Sequence, residues 1–198
     1  MRNILLFCLL ASITFFTGCG KQAHREAGVL YQVLERNQPA YNSSNGMERD
    51  LVASTRTWTE NIMTSGAGHG AELTQSAVVA RELAHSADLI STQLGELRKI
   101  MYDQILKTDD LQAVRSQINI QISKRQQFLQ RLRIVLDGTA GEFENLAQSR
   151  SYRGDTYPAG IDQIGQLLQT YHSPEDVVRQ TMESLKSDYG ISGANGGV

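Results

Sequence analysis

Hydrophobic residues recur at steps of three and four over most of this chain. Between Gly70 and Gly138 only Gly95 interrupts the sequence, and that stretch contains no proline. Long runs without breakers favour helices over strands joined by turns. Because no comparable stretch alternates with a period of two, the pattern predicts an all-α protein.

Two apolar stripes at helical spacing follow each other in the middle of the chain. The positions of the first are Leu73, Ala77, Ala80, Ala84, Ala87, Ser91, Leu94, Arg98, Met101 and Ile105. Those of the second are Leu111, Val114, Ile118, Ile122, Arg125, Leu129, Leu132 and Leu136. The cluster Thr108-Asp109-Asp110 between them is typical of a helix start. We therefore predict a long antiparallel hairpin, with arms of about 71–107 and 109–137 and a coiled-coil pattern.

A further helix is predicted ahead of the hairpin, over 47–65. Its apolar stripe is Met47, Leu51, Thr55, Trp58 and Ile62. Asn45, with Glu48 three residues later, has the spacing of a capping box. Pro39 and Gly46 mark a gap before this helix.

Shorter helices complete the predicted bundle. Their expected ranges are about 22–37, 140–149, 161–171 and 174–188. Gly138 and Gly141 separate the last three from the hairpin, and Ser173 followed by Pro174 is typical of a helix start. Residues 190–198 are glycine-rich and predict a flexible tail. The expected architecture is an elongated helical bundle built on the long hairpin, with short C-terminal helices.

The N-terminus has the features of a targeting segment. Arg2 supplies a positive charge, and the run Ile4–Phe16 is 13 residues long and uncharged. At about 1.5 Å per residue this run is too short to cross a hydrocarbon core of about 30 Å as a helix. It fits a secretory signal peptide, with small residues at Thr17-Gly18 for cleavage. We predict a signal peptide over 1–18 and a mature helical domain over 19–189.

The tetrapeptide Phe16-Thr17-Gly18-Cys19 resembles the lipobox of bacterial lipoproteins, with Phe16 where leucine is usual. The resemblance covers only the first twenty residues, so it implies targeting and no activity. It implies cleavage after Gly18, a diacylglyceryl group on the Cys19 thiol and an N-acyl chain on the new amine. Gly20 stands where aspartate would indicate inner-membrane retention, which implies the outer membrane in a Gram-negative cell. The alternative is an ordinary signal peptide whose cleavage site abuts a cysteine.

Composition excludes several classes of protein. The 19 basic and 21 acidic residues give a formal net charge of -2, which provides no field for recruiting nucleic acid. The two cysteines, Cys8 and Cys19, are too few for a disulfide scaffold. Cys8 lies in the predicted signal peptide and Cys19 is the predicted lipid acceptor. The mature chain is therefore expected to carry no nucleophilic thiol.

Candidate catalytic and metal-binding residues are sparse. Glu82 and His85 have the Glu-x-x-His spacing of di-iron bundles, which also need a second such pair and two further glutamates. The other histidines, outside any ligand spacing, are His24, His69 and His172. No nucleophile elbow or phosphate-binding loop occurs. We therefore expect a protein that is not an enzyme, with no metal and no cofactor beyond the lipid on Cys19.

Within the predicted arm over 109–137, the segment 111–136 carries five basic residues and no acidic one: Arg115, Lys124, Arg125, Arg131 and Arg133. One interpretation is contact with anionic lipid or an acidic partner. The favoured one is a solvated face, neutralised by carboxylates of the other arm: Glu72, Glu82, Asp88, Glu96 and Asp103. Arg125 lies on the apolar stripe, where it either pairs with a carboxylate or marks a gap facing a partner.

Two functional hypotheses remain. The leading one is a non-enzymatic, lipid-anchored scaffold or adaptor of the bacterial envelope, bound to the bilayer through Cys19 and to an envelope protein. Its architecture is similar to that of exported minor-pilin components of type IV secretion machines, so a secretion or conjugation assembly is one setting. The alternative is a ligand-binding or catalytic envelope protein with a pocket between the hairpin and the C-terminal helices. The oligomeric state stays open.

Overall fold

The computed structural model describes residues 2–149, 152, 157–174 and 176–191, with side chains from residue 20 onward. These residues form five α-helices and no strand. The helices are α1 (Arg2–Ser65), α2 (Ala71–Tyr102), α3 (Asp109–Gln148), α4 (Ala159–Gln169) and α5 (Val177–Tyr189). The predicted all-α helical bundle is confirmed. None of the described helices is both long and apolar enough to cross a membrane.

Helices α2 and α3 form the predicted antiparallel hairpin. Arg81 of α2 pairs with Glu144 of α3 at 2.7 Å, whereas Gln126 of α3 donates to the carbonyl of Ser91 on α2 at 3.0 Å. Residue numbers therefore rise along α2 as they fall along α3. The alanines of the α2 stripe are all buried, and their small side chains let neighbouring helices approach α2 closely: Ala77, Ala80, Ala84 and Ala87.

The described chain forms two compact units. The first unit comprises Met1–Pro39, Lys99–Gln121 and Asp176–Val198, and the second comprises Ala40–Arg98 and Ile122–Glu175. Helices α1, α2 and α3 each contribute residues to both units. The α4 helix belongs to the second unit and α5 to the first.

The second unit buries an apolar cluster where α1, α2, α3 and α4 meet. Trp58 of α1 lies against Phe143 of α3, with ring centroids 5.9 Å apart. The buried members of the cluster are Ile62, Ala67, Leu73, Ala77, Ala80, Ala140, Phe143 and Ile161. Burial of each large apolar side chain contributes about 1.5–3 kcal/mol, so this cluster holds the short α4 against the hairpin.

The first unit has its own core, formed by α1, the α2–α3 connection, α3 and α5. Its buried residues include Ala27, Leu30, Tyr31, Leu34, Leu106, Leu111, Ile118, Val178, Met182 and Leu185. The α5 helix begins at Val177 with Asp176 as its N-cap, whose carboxylate accepts from the backbone N–H of Arg179 at 3.1 Å. Its start at Ser173 and Pro174 was therefore wrongly predicted.

The predicted gap between Pro39 and Gly46 does not exist, because α1 continues through both residues. Proline removes one helical hydrogen bond, and glycine is a poor helix former. The burial of Tyr41 and the tertiary contacts of the next turn outweigh these local costs. Asn45 is consequently a buried residue inside the helix and not a cap. The helices predicted over 22–37 and 47–65 are parts of this one helix.

Two further boundaries differ from the prediction. The α3 helix continues past Gly138 and Gly141 to Gln148, since buried Phe143 anchors its last turns. The α2 helix ends at Tyr102, five residues before the expected end of that arm. Gly190 caps α5 with a left-handed φ of 61°, and most of the predicted tail, 192–198, lies outside the described residues.

Candidate functional site

The predicted lipid acceptor, Cys19, belongs to the first part of α1. The backbone of residues 2–19 belongs to α1, whereas the side chains of the predicted signal peptide 1–18 and of Cys19 lie outside the described residues. The first described side chains are those of the two helical turns that follow Cys19. The candidate site is the surface that these turns form within the first unit.

A groove of about 520 Å³ lies between the start of the described α1 and the α2–α3 loop. Its lining combines three cations with apolar side chains: Lys21, Arg25, Val29, Ile105, Leu106 and Lys107, together with Gln22 and Glu26. Lys21 follows Cys19 by only two positions in the sequence. The groove is therefore built by the residues nearest to the predicted lipid acceptor.

Glu26 joins the two walls of this groove. Its Oε2 accepts hydrogen bonds from the backbone N–H groups of Lys107 at 2.9 Å and Thr108 at 3.0 Å. Its Oε1 accepts from Gln22 Nε2 at 2.8 Å. The Gln22 amide and then the Thr108 N–H lower the pKa of Glu26 to about 2. Glu26 thus caps the N-terminus of α3, where a negative charge is stabilised by the helix dipole.

Two side chains of α3 hold the loop from its other side. Arg115 donates to the carbonyl of Gln104, and Gln112 Nε2 donates to the carbonyl of Leu106 at 3.0 Å. Between these bonded carbonyls Ile105 remains 87% exposed. The loop therefore presents a large apolar side chain to solvent from a hydrogen-bonded backbone.

A second polar arrangement lies inside the second unit. Arg125 Nη2 and Nε lie 2.7 Å and 2.8 Å from Oε2 of Glu48, and both side chains are buried. The guanidinium also lies over the ring of Tyr41, 5.1 Å from its centroid. Burial raises the pKa of Glu48, although the positive charge of Arg125 acts in the opposite direction. Arg125 therefore pairs with a carboxylate, one of its two predicted roles, but the carboxylate belongs to α1.

Aromatic residues close this arrangement from the side of α4. Tyr171 lies against Phe128 of α3, with ring centroids 5.1 Å apart. Burial and then the negative charge of Glu48 raise the pKa of Tyr171 to about 12. On the α2 side Ser44 donates to Oε1 of Gln93 at 3.2 Å. These contacts make the ion pair part of the packing of the second unit.

The remaining candidates from the sequence do not converge. Glu82 and His85 are both exposed on α2, and the described residues contain no group of three or more possible metal ligands. His24 Nδ1 lies 2.7 Å from the carbonyl oxygen of Tyr189. Arg133 pairs with Asp88 at 2.7 Å, as expected for a solvated face of the basic arm.

An open cleft of about 720 Å³ separates the start of α3 from α5 within the first unit. Its lining combines the apolar side chains of Ala113, Val114, Val177 and Leu185 with polar ones: Asp110, Gln117, Gln180, Thr181, Ser184, Asp188 and Tyr189. This is the kind of place in which the alternative hypothesis expects a pocket, between the hairpin and a C-terminal helix. Its lining carries hydrogen-bonding groups but no metal-ligand cluster.

Two residues of the candidate site had no signal in the sequence. Glu26 is a single carboxylate on a helical surface, and only the fold brings it to the start of α3. Ile105 continues the apolar spacing of α2, which predicts burial and not exposure. No protein family matches the chain, and neither a curated protein nor a solved structure matches it significantly. Its function is therefore inferred from its own residues.

Proposed function

We propose that this chain is a lipid-anchored, non-enzymatic helical protein of the bacterial envelope that acts as a scaffold or adaptor. The observation that carries the proposal is the tetrapeptide Phe16-Thr17-Gly18-Cys19, which begins at the last residue of the uncharged run Ile4–Phe16. The helical bundle supports it, because α1 leads from this tetrapeptide into the packed core. In a Gram-negative cell we propose the outer membrane, since Gly20 follows the cysteine.

The proposed anchor is strong enough for lasting attachment. Each buried methylene contributes about 0.8 kcal/mol, and one acyl chain alone binds a membrane only marginally. A diacylglyceryl group together with an N-acyl chain supplies two or more chains, which hold a protein firmly. The bilayer is therefore the first partner of this chain.

The anchor is tested by Cys19→Ala in the full chain. We expect the variant to lose incorporation of a labelled fatty acid and to wash off membranes that retain the parent chain. Cys8→Ala is the matched control, because Cys8 lies in the segment that cleavage would remove. Cys19→Ala protein that keeps the label, or that resists washing as the parent does, would contradict the proposal. Gly20→Asp tests the proposed location in the outer membrane, since this variant should be retained in the inner membrane.

The scaffold role is supported by apolar side chains that the bundle leaves in solvent. Leu89 of α2 and Ile134 of α3 are both exposed, the latter at 64%. A photo-crosslinking amino acid at either position should capture a defined envelope protein in living cells. Neighbouring genes that encode secretion or conjugation proteins would identify the assembly in which the scaffold acts. Crosslinks to lipid alone at both positions would argue against a protein partner.

The cleft between α3 and α5 favours a second candidate function, binding of a small polar ligand in the envelope. A saturable rise in melting temperature with a small molecule would support this function, because a ligand that binds only the folded state stabilises it. Ser184→Trp, which fills the cleft, should abolish that rise. A rise that persists in this variant would place the ligand elsewhere.

A further inference from the structure

We propose that the α2–α3 loop over 103–108 and the α1 turns that begin at Lys21 form one contact surface for an anionic phospholipid bilayer. The inference deepens the proposed function and rests on it, because the acyl chains on Cys19 would bring this surface to the membrane. All residues of the surface belong to the first unit. We call it the lipid-facing groove.

The charge of the groove suits anionic headgroups. Its lining contributes three cations, Lys21, Arg25 and Lys107, whose side chains are all exposed. The one carboxylate of the lining, Glu26, already accepts hydrogen bonds from the backbone N–H groups of Lys107 and Thr108. The negative charge of Glu26 is therefore engaged at the start of α3. The three cations remain available to bind a lipid phosphate. Each such cation at an anionic surface contributes about fivefold to membrane partition.

The apolar part of the groove suits the boundary between headgroups and acyl chains. Ile105 of the groove is 87% exposed, and next to the groove Tyr102, the last residue of α2, is 71% exposed. An aliphatic side chain gains from entering the acyl region, whereas tyrosine favours the interface. Because Glu26, Arg115 and Gln112 already hold the loop, insertion of Ile105 costs little ordering entropy.

The position of the groove favours a bilayer over a protein as its occupant. At about 1.5 Å per residue, the helical segment from Cys19 to Arg25 rises by about 9 Å. Acyl chains at Cys19 would therefore hold the groove within reach of headgroups at a high effective concentration. A protein partner would have to compete with lipid that is already present.

The test places one tryptophan at a time in the full chain. In a Trp58→Phe background, Ile105→Trp puts the probe in the lipid-facing groove. Ile134→Trp puts it on the exposed part of α3 in the second unit, as a matched control. Both proteins are incorporated into vesicles of phosphatidylcholine and phosphatidylglycerol whose acyl chains carry bromine, which quenches tryptophan on contact. We expect strong quenching at position 105 and little at position 134.

Charge variants test the role of the cations with the same probe. Lys21→Glu combined with Lys107→Glu should reduce quenching at position 105 to the level found in vesicles of phosphatidylcholine alone. Lys124→Glu combined with Arg131→Glu reverses the same number of exposed charges on α3 and should leave quenching unchanged. Circular dichroism confirms that every variant keeps its helix content.

The possible outcomes separate this inference from the proposed anchor. Equal quenching at positions 105 and 134, or quenching that does not depend on phosphatidylglycerol, overturns the lipid-facing groove. The mass of Cys19 in the same samples reports acylation independently. Acylated Cys19 without quenching at position 105 would support the anchor and contradict the lipid-facing groove. Unmodified Cys19 with strong quenching at position 105 would contradict the anchor and support the lipid-facing groove.

Discussion

Arg125 Nη2 lies 2.7 Å from Glu48 Oε2, with the two side chains only 9% and 1% exposed. The pair joins α3 to α1 in the interior of the second unit. Withdrawing two charges from water is costly, and their mutual attraction offsets that cost only when the geometry is good. Parting the two residues would leave each charge buried without its partner. The pair therefore connects α1 to α3 at this position.

Removing one partner of this pair should be far more damaging than removing both. We expect Arg125→Met to lower the free energy of unfolding by about 3–5 kcal/mol, because Glu48 is left buried without its cation. Combining it with Glu48→Leu should restore much of the loss. Denaturant titration at neutral pH measures both. Asp88→Asn, at the exposed pair with Arg133, is the control and should cost no more than about 1 kcal/mol. A double variant less stable than Arg125→Met would contradict the prediction that an unpaired buried charge causes the loss.

The stability of Arg125→Met should fall as pH rises. The folded-state pKa of Glu48 is raised above its ordinary value of 4.5 by burial, even with the arginine in place. A carboxyl of this kind stabilises the fold fully below pH 4.5, and that contribution is lost as pH rises through the folded-state pKa. Unfolding titrations across a pH series should show a steeper decline than in the parent chain. A parallel decline in the two proteins would show that Arg125 does not hold the charge of Glu48.

Glu26 should contribute to stability with the opposite dependence on pH. Its folded-state pKa of about 2 lies below the ordinary 4.5, owing first to Gln22 and then to the Thr108 N–H. Its contribution is complete above pH 4.5 and is lost as pH falls toward 2. Glu26→Gln should flatten this part of the stability curve, and Gln22→Ala should flatten it in part. The same acid-induced loss in Glu26→Gln as in the parent chain would exclude Glu26 as its source.

The start of α4 leaves no room for a side chain at Gly160. A Cβ built there would lie 2.0 Å from Oγ1 and 2.9 Å from Cβ of Thr139. Gly160→Ala should therefore cost about 1–3 kcal/mol of unfolding free energy. Gly141→Ala is the matched control, because nothing lies within 4 Å of its Cβ position in α3. That change should stabilise the protein by about 0.5–1 kcal/mol. Thermal unfolding distinguishes the two, and equal effects would contradict the contact with Thr139.

The continuity of α1 can be tested at Gly46. Nothing lies within 4 Å of a Cβ at this position, which is in the middle of the helix. Gly46→Ala should therefore raise the free energy of unfolding by about 0.5–1 kcal/mol, as expected for a helix interior. A loss of stability instead would indicate that the chain needs a glycine conformation there, as in a break before residue 47.

The hairpin could be predicted from the sequence because its stripes are long and regular. The errors arose at single residues with strong local preferences. Gly46 costs about 1 kcal/mol and Pro39 about 3 kcal/mol in a helix, yet the burial of Tyr41, Leu51 and Val52 on the same helix outweighs these costs. Local propensity carries no information about such tertiary burial. At Gly138, likewise, the burial of Phe143 outweighs the low helix propensity of glycine, so α3 continues to Gln148.

The candidate site was harder to predict than the fold. The sequence marks Arg125 as a charge on an apolar stripe, whereas the spacing of Glu48 from Asn45 predicts a local role as a capping residue. Only the packing of α1 against α3 reveals that they are partners. Ile105 follows Met101 at helical spacing, so periodicity assigns it to the core. Because α2 ends at Tyr102, the residue falls in a loop and points into solvent instead.

The uninterrupted path of α1 has a consequence for how the proposed lipoprotein would stand on its membrane. Many tethered domains follow a disordered stretch of glycine and serine, which lets their distance from the membrane and their orientation vary. Here the chain is helical from Cys19 onward, and Glu26 fastens the start of α3 within two turns of that residue. The link between the lipid anchor and the first unit would therefore be a rigid helix. The first unit would keep a constant height above the headgroups and always turn the same side toward them.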